Sequence, residues 1–278
     1  MANLVTIYFS KDRPLQLDLA LSSNMVCSTD WFMQKEVVIY KASNKKYEKA
    51  YKQVSKENTQ REFIKQGELK KDILKSLDKK EYVMFVVDDC IFTREYSIEN
   101  IVSLMEKETY SKELIGFSLR LGKNTKNCYP IGKENKIPDL VSVKNNMLIF
   151  TWLKAGLGDF SYPLEVSSSL YRVKDIQWLL EKGEYDTPNA LESLLYANLG
   201  QFISRPKLAC YETSVAFCSP LNKVNVGNTN RALEDPEYST DNLLKKYESG
   251  KRICWTDFYH YVPDGCHQEI IPRLINVY

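Results

Sequence analysis

Tyr82 to Phe92 reads YVMFVVDDCIF, and the fold turns on how this stretch is read. Six uncharged, strongly β-forming residues run into Asp88 and Asp89, after which apolar residues resume. A continuous apolar run between polar segments describes a strand buried on both faces, as in parallel sheets. Ending it with two aspartates sets two carboxylates at the carboxyl edge of the sheet, where open α/β sheets bind ligands. Adjacent carboxylates repel, so something positive must offset them, and a divalent cation holding phosphate oxygens would do so. A solvated turn or a helix cap accounts for the same residues without any ligand, since aspartate is common in both.

Upstream, Leu4 to Phe9 is a short apolar strand, followed by the polar loop Ser10-Lys11-Asp12-Arg13. Pro14 suits the first turn of a helix, where its missing N–H costs nothing. Glu36 to Tyr40 reads as a second strand, Asn44 to Val54 as a second helix, and Lys65 to Leu77 as a third helix. Strand and helix therefore alternate over the first ninety residues, which predicts a right-handed, parallel α/β sheet. Neither GxGxxG nor GxxxxGK[ST] follows the first strand, so the dinucleotide fingerprint and the P-loop are both absent. A nucleotide on this sheet would be held by side chains such as Asp12, Arg13 and the aspartate pair, with or without a metal.

Downstream, Ser97 to Lys107 is a helix with Ser97 as N-cap, and Leu114 to Leu119 and Met147 to Leu153 are strands. Between those strands, residues 120 to 146 are rich in Lys, Asn, Gly and Pro and predict a surface excursion. Gly156 to Pro163, GLGDFSYP, is a loop with Asp159 at its centre. Helices follow at Val173 to Lys182 and at Thr187 to Leu199, the latter started by Thr187-Pro188. Asn222 to Asn230 is an Asn-rich loop, and Asp241 to Tyr247 a helix stopped by Gly250.

The chain has 278 residues, 44% hydrophobic and 27% charged, with no repeat or evident linker, which favours one compact domain. Thirty-eight basic against 36 acidic residues leave a net charge of +2, too little to imply a nucleic-acid or membrane partner. Seven cysteines without a CxxC pair argue against a disulfide scaffold or structural zinc. No apolar run approaches the roughly 20 residues needed to cross a bilayer, and no secretory leader opens the chain. A reducing, cytoplasmic setting is the expectation.

Taken together, several segments resemble the family-2-type, GT-A-fold glycosyltransferases that use nucleotide-sugar donors in polysaccharide or glycoconjugate synthesis. They are FSKDRPLQLDLALSS from Phe9, VVIYKASNKKYEKAY from Val37, VVDDCIF from Val86, SLRLG from Ser118 and WLKAGLGDFSYPLEVSSSLYR from Trp152. TPNALESLL from Thr187 and VNVGNTNRALEDPEYSTDNLLKKYESGKRI from Val224 complete the set. The resemblance implies a single domain over 1–278 with a Rossmann-like, mostly parallel sheet flanked by helices. Residues 1–120 would form its nucleotide-sugar half and 121–278 its acceptor half.

The resemblance also implies site residues. Asp88 and Asp89 match a shortened Asp-X-Asp motif that holds Mn²⁺ or Mg²⁺ on the donor diphosphate, with Asp89 favoured as the direct ligand; Cys90 stands where some relatives carry a third acid. Phe9, Ser10, Asp12 and Arg13 match the loop that meets uracil and ribose, and Tyr40, Lys41 and Ala42 a second part of that pocket. The donor implied is a UDP-sugar, and the acceptor a glycan or glycoconjugate. The fold and the aspartate pair serve retention as well as inversion; an inverting transfer, the leading reading, needs a general base beside the acceptor hydroxyl. Asp159 and Glu192 are the two candidates, Asp159 being favoured, and Trp152, Phe160 and Tyr162 are candidates to stack on acceptor sugars. His260, one of only two histidines, is a candidate extra metal ligand, the other being His267.

Two alternatives stay open at this level. A sugar-phosphate nucleotidyltransferase would share the α/β plan, but a glycine-rich loop after the first strand is its usual mark. A non-catalytic glycan-binding or scaffold domain of the same fold would bind no nucleotide diphosphate in a metal-dependent way.

Overall fold

The computed structural model describes residues 3–224, 231–233 and 235–277. The chain opens with β1 (Leu4–Lys11), α1 (Pro14–Cys27), β2 (Gln34–Lys41), α2 (Lys45–Glu57), β3 (Glu62–Lys65), α3 (Leu69–Ser76) and β4 (Tyr82–Val87). These four strands lie in the order β3-β2-β1-β4, all parallel, as the alternating pattern predicts. Asp88 and Asp89 occupy the turn after β4, and β5 (Cys90–Phe92) follows at once. Next come α4 (Ile98–Glu106), α5 (Glu108–Ser111) and β6 (Leu114–Ser118).

The predicted excursion over 120 to 146 contains three short strands, β7 (Asn127–Cys128), β8 (Lys133–Glu134) and β9 (Val141–Val143). β10 (Met147–Thr151), β11 (Ser169–Arg172), α6 (Val173–Lys182), α7 (Pro188–Ala197), β12 (Lys207–Tyr211) and β13 (Ala216–Cys218) follow. The chain ends through α8 (Thr240–Glu248), β14 (Lys251–Ile253) and β15 (Leu274–Asn276). Among the described residues, the central sheet runs β3-β2-β1-β4-β11-β6-β12-β10-β9, with β11 and β10 opposed to the rest. Because β11 is inserted between β4 and β6, chain from beyond residue 120 sits inside the sheet, and the two halves share one scaffold.

Both faces of the sheet are covered, which explains why β4 shows no polar alternation. Tyr82, Met84 and Val86 pack on one side with the apolar faces of α1, α2 and α4. Val83 and Phe85 pack on the other with α3, α6 and α7. Residues two apart point to the same face of a strand, so each set is one row of the pleat.

Several helix ends carry the caps expected from sequence. Ser97 accepts a hydrogen bond from the Asn100 N–H at 3.1 Å, Thr187 accepts one from Ala190, and Gly250 sits at φ +81 beyond α8.

Two strands differ from expectation. Lys65 ends β3 rather than starting a helix, and α3 begins only at Leu69. EFIK is a four-residue, half-exposed edge strand, too short for its alternation to stand out, and the Gln66 N–H continues its ladder by donating to the Tyr40 carbonyl. β11 was hidden because SLYR starts on the last of three consecutive serines, yet it is fully buried at the centre of the sheet. Of the expected Asn222–Asn230 loop, residues 225–230 lie outside the described residues.

Candidate active site

The parallel strands β1, β2 and β4 all end at one edge, and the aspartate pair stands there. The positive partner that the pair requires comes from the protein itself. Nη1 of Arg13 lies 3.0 Å from Oδ1 of Asp88 and 3.2 Å from Oδ2 of Asp89, with all three side chains nearly buried. Arg13 is the residue before α1, so the first β/α turn aims it across the sheet edge. Its Nε donates to the Asn222 side chain at 2.9 Å and its Nη2 to the Asn222 carbonyl. Asn222 in turn donates to the Tyr238 carbonyl at 2.7 Å. Burial pulls the Arg13 pKa down, but the two aspartates outweigh it, and the guanidinium holds its proton more tightly than usual.

Asp88 is saturated. Besides Arg13 on Oδ1, its Oδ2 accepts from the Ser10 hydroxyl at 2.8 Å and the Lys11 N–H at 3.2 Å. With Ser10 donating there, the Tyr51 hydroxyl donates to Ser10 Oγ at 2.6 Å and accepts the Arg13 N–H at 3.1 Å. The relay therefore closes a ring from the backbone of Arg13 to the carboxylate that its side chain grips. Asp89 differs: Oδ2 meets Arg13, whereas Oδ1 accepts no hydrogen bond among the described residues. Its backbone carbonyl accepts the Ser219 N–H at 2.8 Å, which fixes the turn.

Burial raises the Asp88 pKa from 3.8 to about 6, against the lowering effect of Arg13 and helped by Asp89. A carboxyl whose value is raised on folding holds its proton more tightly in the folded chain, so its contribution favours folding at low pH. That contribution is fully present below 3.8 and is lost as pH rises through about 6. We expect urea unfolding of the ligand-free protein to show this component between those values, and Asp88→Asn to remove it. An unchanged pH profile in that variant would contradict the assignment.

The other expected donor residues separate into supports and bystanders. Asp12, at φ 55, does not cap α1; its Oδ1 accepts the Ser43 N–H at 2.8 Å and its own N–H donates to the Lys41 carbonyl, tying the ends of β1 and β2. Tyr40 is buried with its ring on Tyr51 at 4.5 Å, Ala42 is half-buried and the Lys41 side chain is exposed. Phe9 is a correction: it is 3% exposed and stacked on Phe85 at 5.8 Å, so it floors the site rather than facing a base. An alternating strand that ends at the site must turn every second side chain into the core.

His260 is also corrected. It is exposed, its N–H donates to the Thr93 carbonyl, and its ring lies against Tyr259. It thus sits at the far end of β5 from the pair. His267 is half-buried instead, with Nε2 3.2 Å from Nη1 of Arg120, and burial followed by Arg120 holds its pKa down at about 3. Among the described residues, no group of three or more His, Cys, Asp and Glu is placed to hold a metal by itself.

A second acidic cluster lies across the sheet edge around Arg120, which follows β6. Arg120 pairs with the buried Glu165 at 2.8 Å, and its Nη1 is 3.6 Å from the Cys218 thiol. Cys218 is the cross-strand partner of Cys90, which follows Asp89, so Arg120 stands between the aspartate pair and the acidic cluster.

Asp159 and Glu192 both feel the Arg120 charge, and burial raises the pKa of each. Asp159 accepts from the Asn135 side-chain amide at 2.9 Å, while its own N–H donates to the Asn135 Oδ1 at 2.9 Å. Gly158 makes this possible: at φ +130 it has no Cβ where the Asn135 amide sits. Glu192 uses both oxygens on the loop, accepting from the Tyr162 hydroxyl at 3.2 Å and the Val166 N–H at 3.1 Å.

Of the expected acceptor aromatics, Trp152 and Phe160 are core, Phe160 lying edge-on to Phe150. Tyr162 is half-buried and stacked on the exposed Tyr196 at 4.9 Å. Tyr51, Asn222, Arg120 and Glu165 were missed as site residues. Their only sequence signal is that all but Asn222 lie within the segments that carry the resemblance.

No family model matches the chain. The chain is similar to the bifunctional glycosyltransferase pgtA of Dictyostelium discoideum, with 27% identity over 280 residues. It is thus a sequence relative of a glycosyltransferase. The match covers 89% of this chain but 35% of that protein, so the chain spans about a third of its relative's length. Among solved structures it resembles S. aureus TarS, with a TM-score of 0.51 and 11% identity, covering 80% of this chain and 37% of that one. At that identity the likeness is one of fold.

Proposed function

We propose that this chain is a glycosyltransferase domain that moves a sugar from a nucleotide diphosphate donor, a UDP-sugar, to a glycan or glycoconjugate acceptor, with inversion. The observation that carries this reading is the Arg13–Asp88–Asp89 cluster at the carboxyl edge of β1 and β4, in a chain similar to a glycosyltransferase. Residues 1–120 supply the donor edge and residues 121–278 most of the acceptor wall.

The residues present fit a divalent cation, Mn²⁺ or Mg²⁺. Mg²⁺ is typically held by one or two carboxylates together with substrate phosphates, so a three-residue protein cage is not required. Asp89, with Oδ1 accepting no hydrogen bond among the described residues, would be the ligand, and Asp88, saturated by Arg13, Ser10 and Lys11, its support. When bound, the cation neutralises charge that builds on the departing diphosphate.

The chain's own residues do the rest. Arg13 and the Tyr51–Ser10 relay hold the pair in register. Asp159 takes the proton from the acceptor hydroxyl as its oxygen attacks the anomeric carbon and the bond to the diphosphate breaks. A carboxyl raised by burial is a better proton acceptor than an ordinary one. Glu192, with both oxygens committed, holds the loop that presents Asp159.

A thermal-shift screen of UDP-, GDP- and dTDP-sugars with and without Mn²⁺ tests the reading. Stabilisation by UDP-sugars that depends on the cation supports it, and no response to any nucleotide diphosphate sinks it. The second result would favour a non-catalytic domain of the same fold.

A further inference from the structure

Asn135 follows β8 in the solvent-facing excursion and is buried, although its neighbours Glu134 and Lys136 are exposed. A buried amide must find partners, and every hydrogen-bonding atom of this one does. Its backbone N–H donates to the Lys126 carbonyl at 2.7 Å. Its side-chain Nδ2 donates to the Thr125 carbonyl at 3.3 Å and to Oδ2 of Asp159 at 2.9 Å, while Oδ1 accepts the Asp159 N–H at 2.9 Å. A carbonyl can only accept and a backbone N–H can only donate, so these contacts leave one orientation for the amide. In that orientation an N–H points at the Asp159 carboxylate. The excursion is itself tied to β6 where the Thr125 hydroxyl donates to the Arg120 carbonyl at 3.3 Å.

We propose that Asn135 is a positioning residue for Asp159, fixing the direction of its carboxylate and keeping it ionised for the transfer step. The role in transfer rests on the proposed reading of Asp159 as the base, whereas the clamp stands on the hydrogen bonds alone. A general base must be basic and yet free of its proton before the reaction. Burial pushes the Asp159 pKa up, and the Asn135 hydrogen bond opposes it most strongly, ahead of Arg120 and the Cys128 thiol. The charged and titratable groups that face Asp159 among the described residues are Arg120 after β6, Glu165 on its own loop, Cys128 of β7 and Cys266. Of these, Glu165 adds to the rise.

Carbon-13 NMR titration of the Asp159 carboxyl in the wild type and in Asn135→Leu tests the proposal, together with the pH dependence of kcat for transfer from UDP-sugars to nitrophenyl glycosides. Leucine keeps the shape and adds no charge, but donates nothing. The Asp159 midpoint should rise in the variant by about one to two pH units, the equivalent of one hydrogen bond to a charged group. The acid limb of kcat should move up with it, a rate loss of about 10–100-fold below both midpoints that shrinks as pH rises. A midpoint that does not move, or a rate loss equal at every pH, overturns the role. In the wild type the Asn135 side-chain amide protons should shift with the Asp159 midpoint. An amide blind to that titration overturns the clamp even if the variant does not fold. Absence of transfer by the wild type from any UDP-, GDP- or dTDP-sugar overturns the reading of Asp159 as a base and the positioning role with it, and leaves the clamp judged by the NMR titration.

Discussion

Arg13→Met should destabilise the protein by about 3–5 kcal/mol near neutral pH, the usual cost of breaking a buried ion pair by removing one partner. Methionine keeps much of the side-chain volume, so the loss is electrostatic rather than a packing defect. Asp88 and Asp89 would then face each other at the sheet edge without a cation from the protein. Arg13 lowers the Asp88 pKa, so removing it lets Asp88 take up a proton at still higher pH. The destabilisation should therefore be largest above pH 7 and shrink as the medium is made acidic. Urea unfolding at several pH values checks this, and a small or pH-independent effect would show that Arg13 is a surface group in practice. The same variant should lose UDP binding, because the pair no longer holds its geometry.

Asp159→Asn should lower the rate of sugar transfer by about 10²–10⁴-fold, the range for removing a general base, with donor affinity nearly intact. Glu192→Gln should cost much less, on the order of tenfold or below, because an amide can keep one of the two hydrogen bonds that tie the loop to α7. Steady-state kinetics separate the two: a base acts in the transition state and shows in kcat, whereas a misplaced loop also changes KM for the acceptor. If Glu192→Gln proves the more damaging and Asp159→Asn keeps most of its activity, the roles are reversed.

The β/α alternation and the aspartate edge were legible because long buried strands and capped helices leave strong periodic signals. β4 is the clearest case, since both of its faces are covered and every residue from Tyr82 to Val86 is buried. β3 and β11 were not legible: one is a short edge strand, and the other, though central, is too brief and serine-flanked to show a pattern. Asp88 and Asp89 could be singled out because two adjacent acids after a buried strand are unusual. Their counter-charge could not be assigned, since Arg13 is far from them in sequence and reaches them only through the parallel pairing of β1 and β4.

The same distance problem hid Tyr51 and Asn222, which belong to the site through hydrogen bonds to Ser10 and Arg13, for Tyr51, and to Arg13 alone, for Asn222. Phe9 and His260 were misplaced for a simpler reason: a position near the site in sequence does not settle which way the side chain points. Their corrected places, one in the core and one at the far end of β5, follow from strand alternation and from the Thr93 contact.

The central claim is that the carboxyl edge of β1 and β4 is a nucleotide diphosphate site in which Asp89 faces the ligand and Asp88 holds the geometry. Calorimetric titration of UDP into the wild-type protein and Asp89→Asn, each with and without Mn²⁺, tests it most directly. The prediction is binding to the wild type that requires Mn²⁺, with that requirement and most of the affinity lost in a folded Asp89→Asn. Binding of UDP that is indifferent to both the cation and the substitution, or no binding at all, would contradict it.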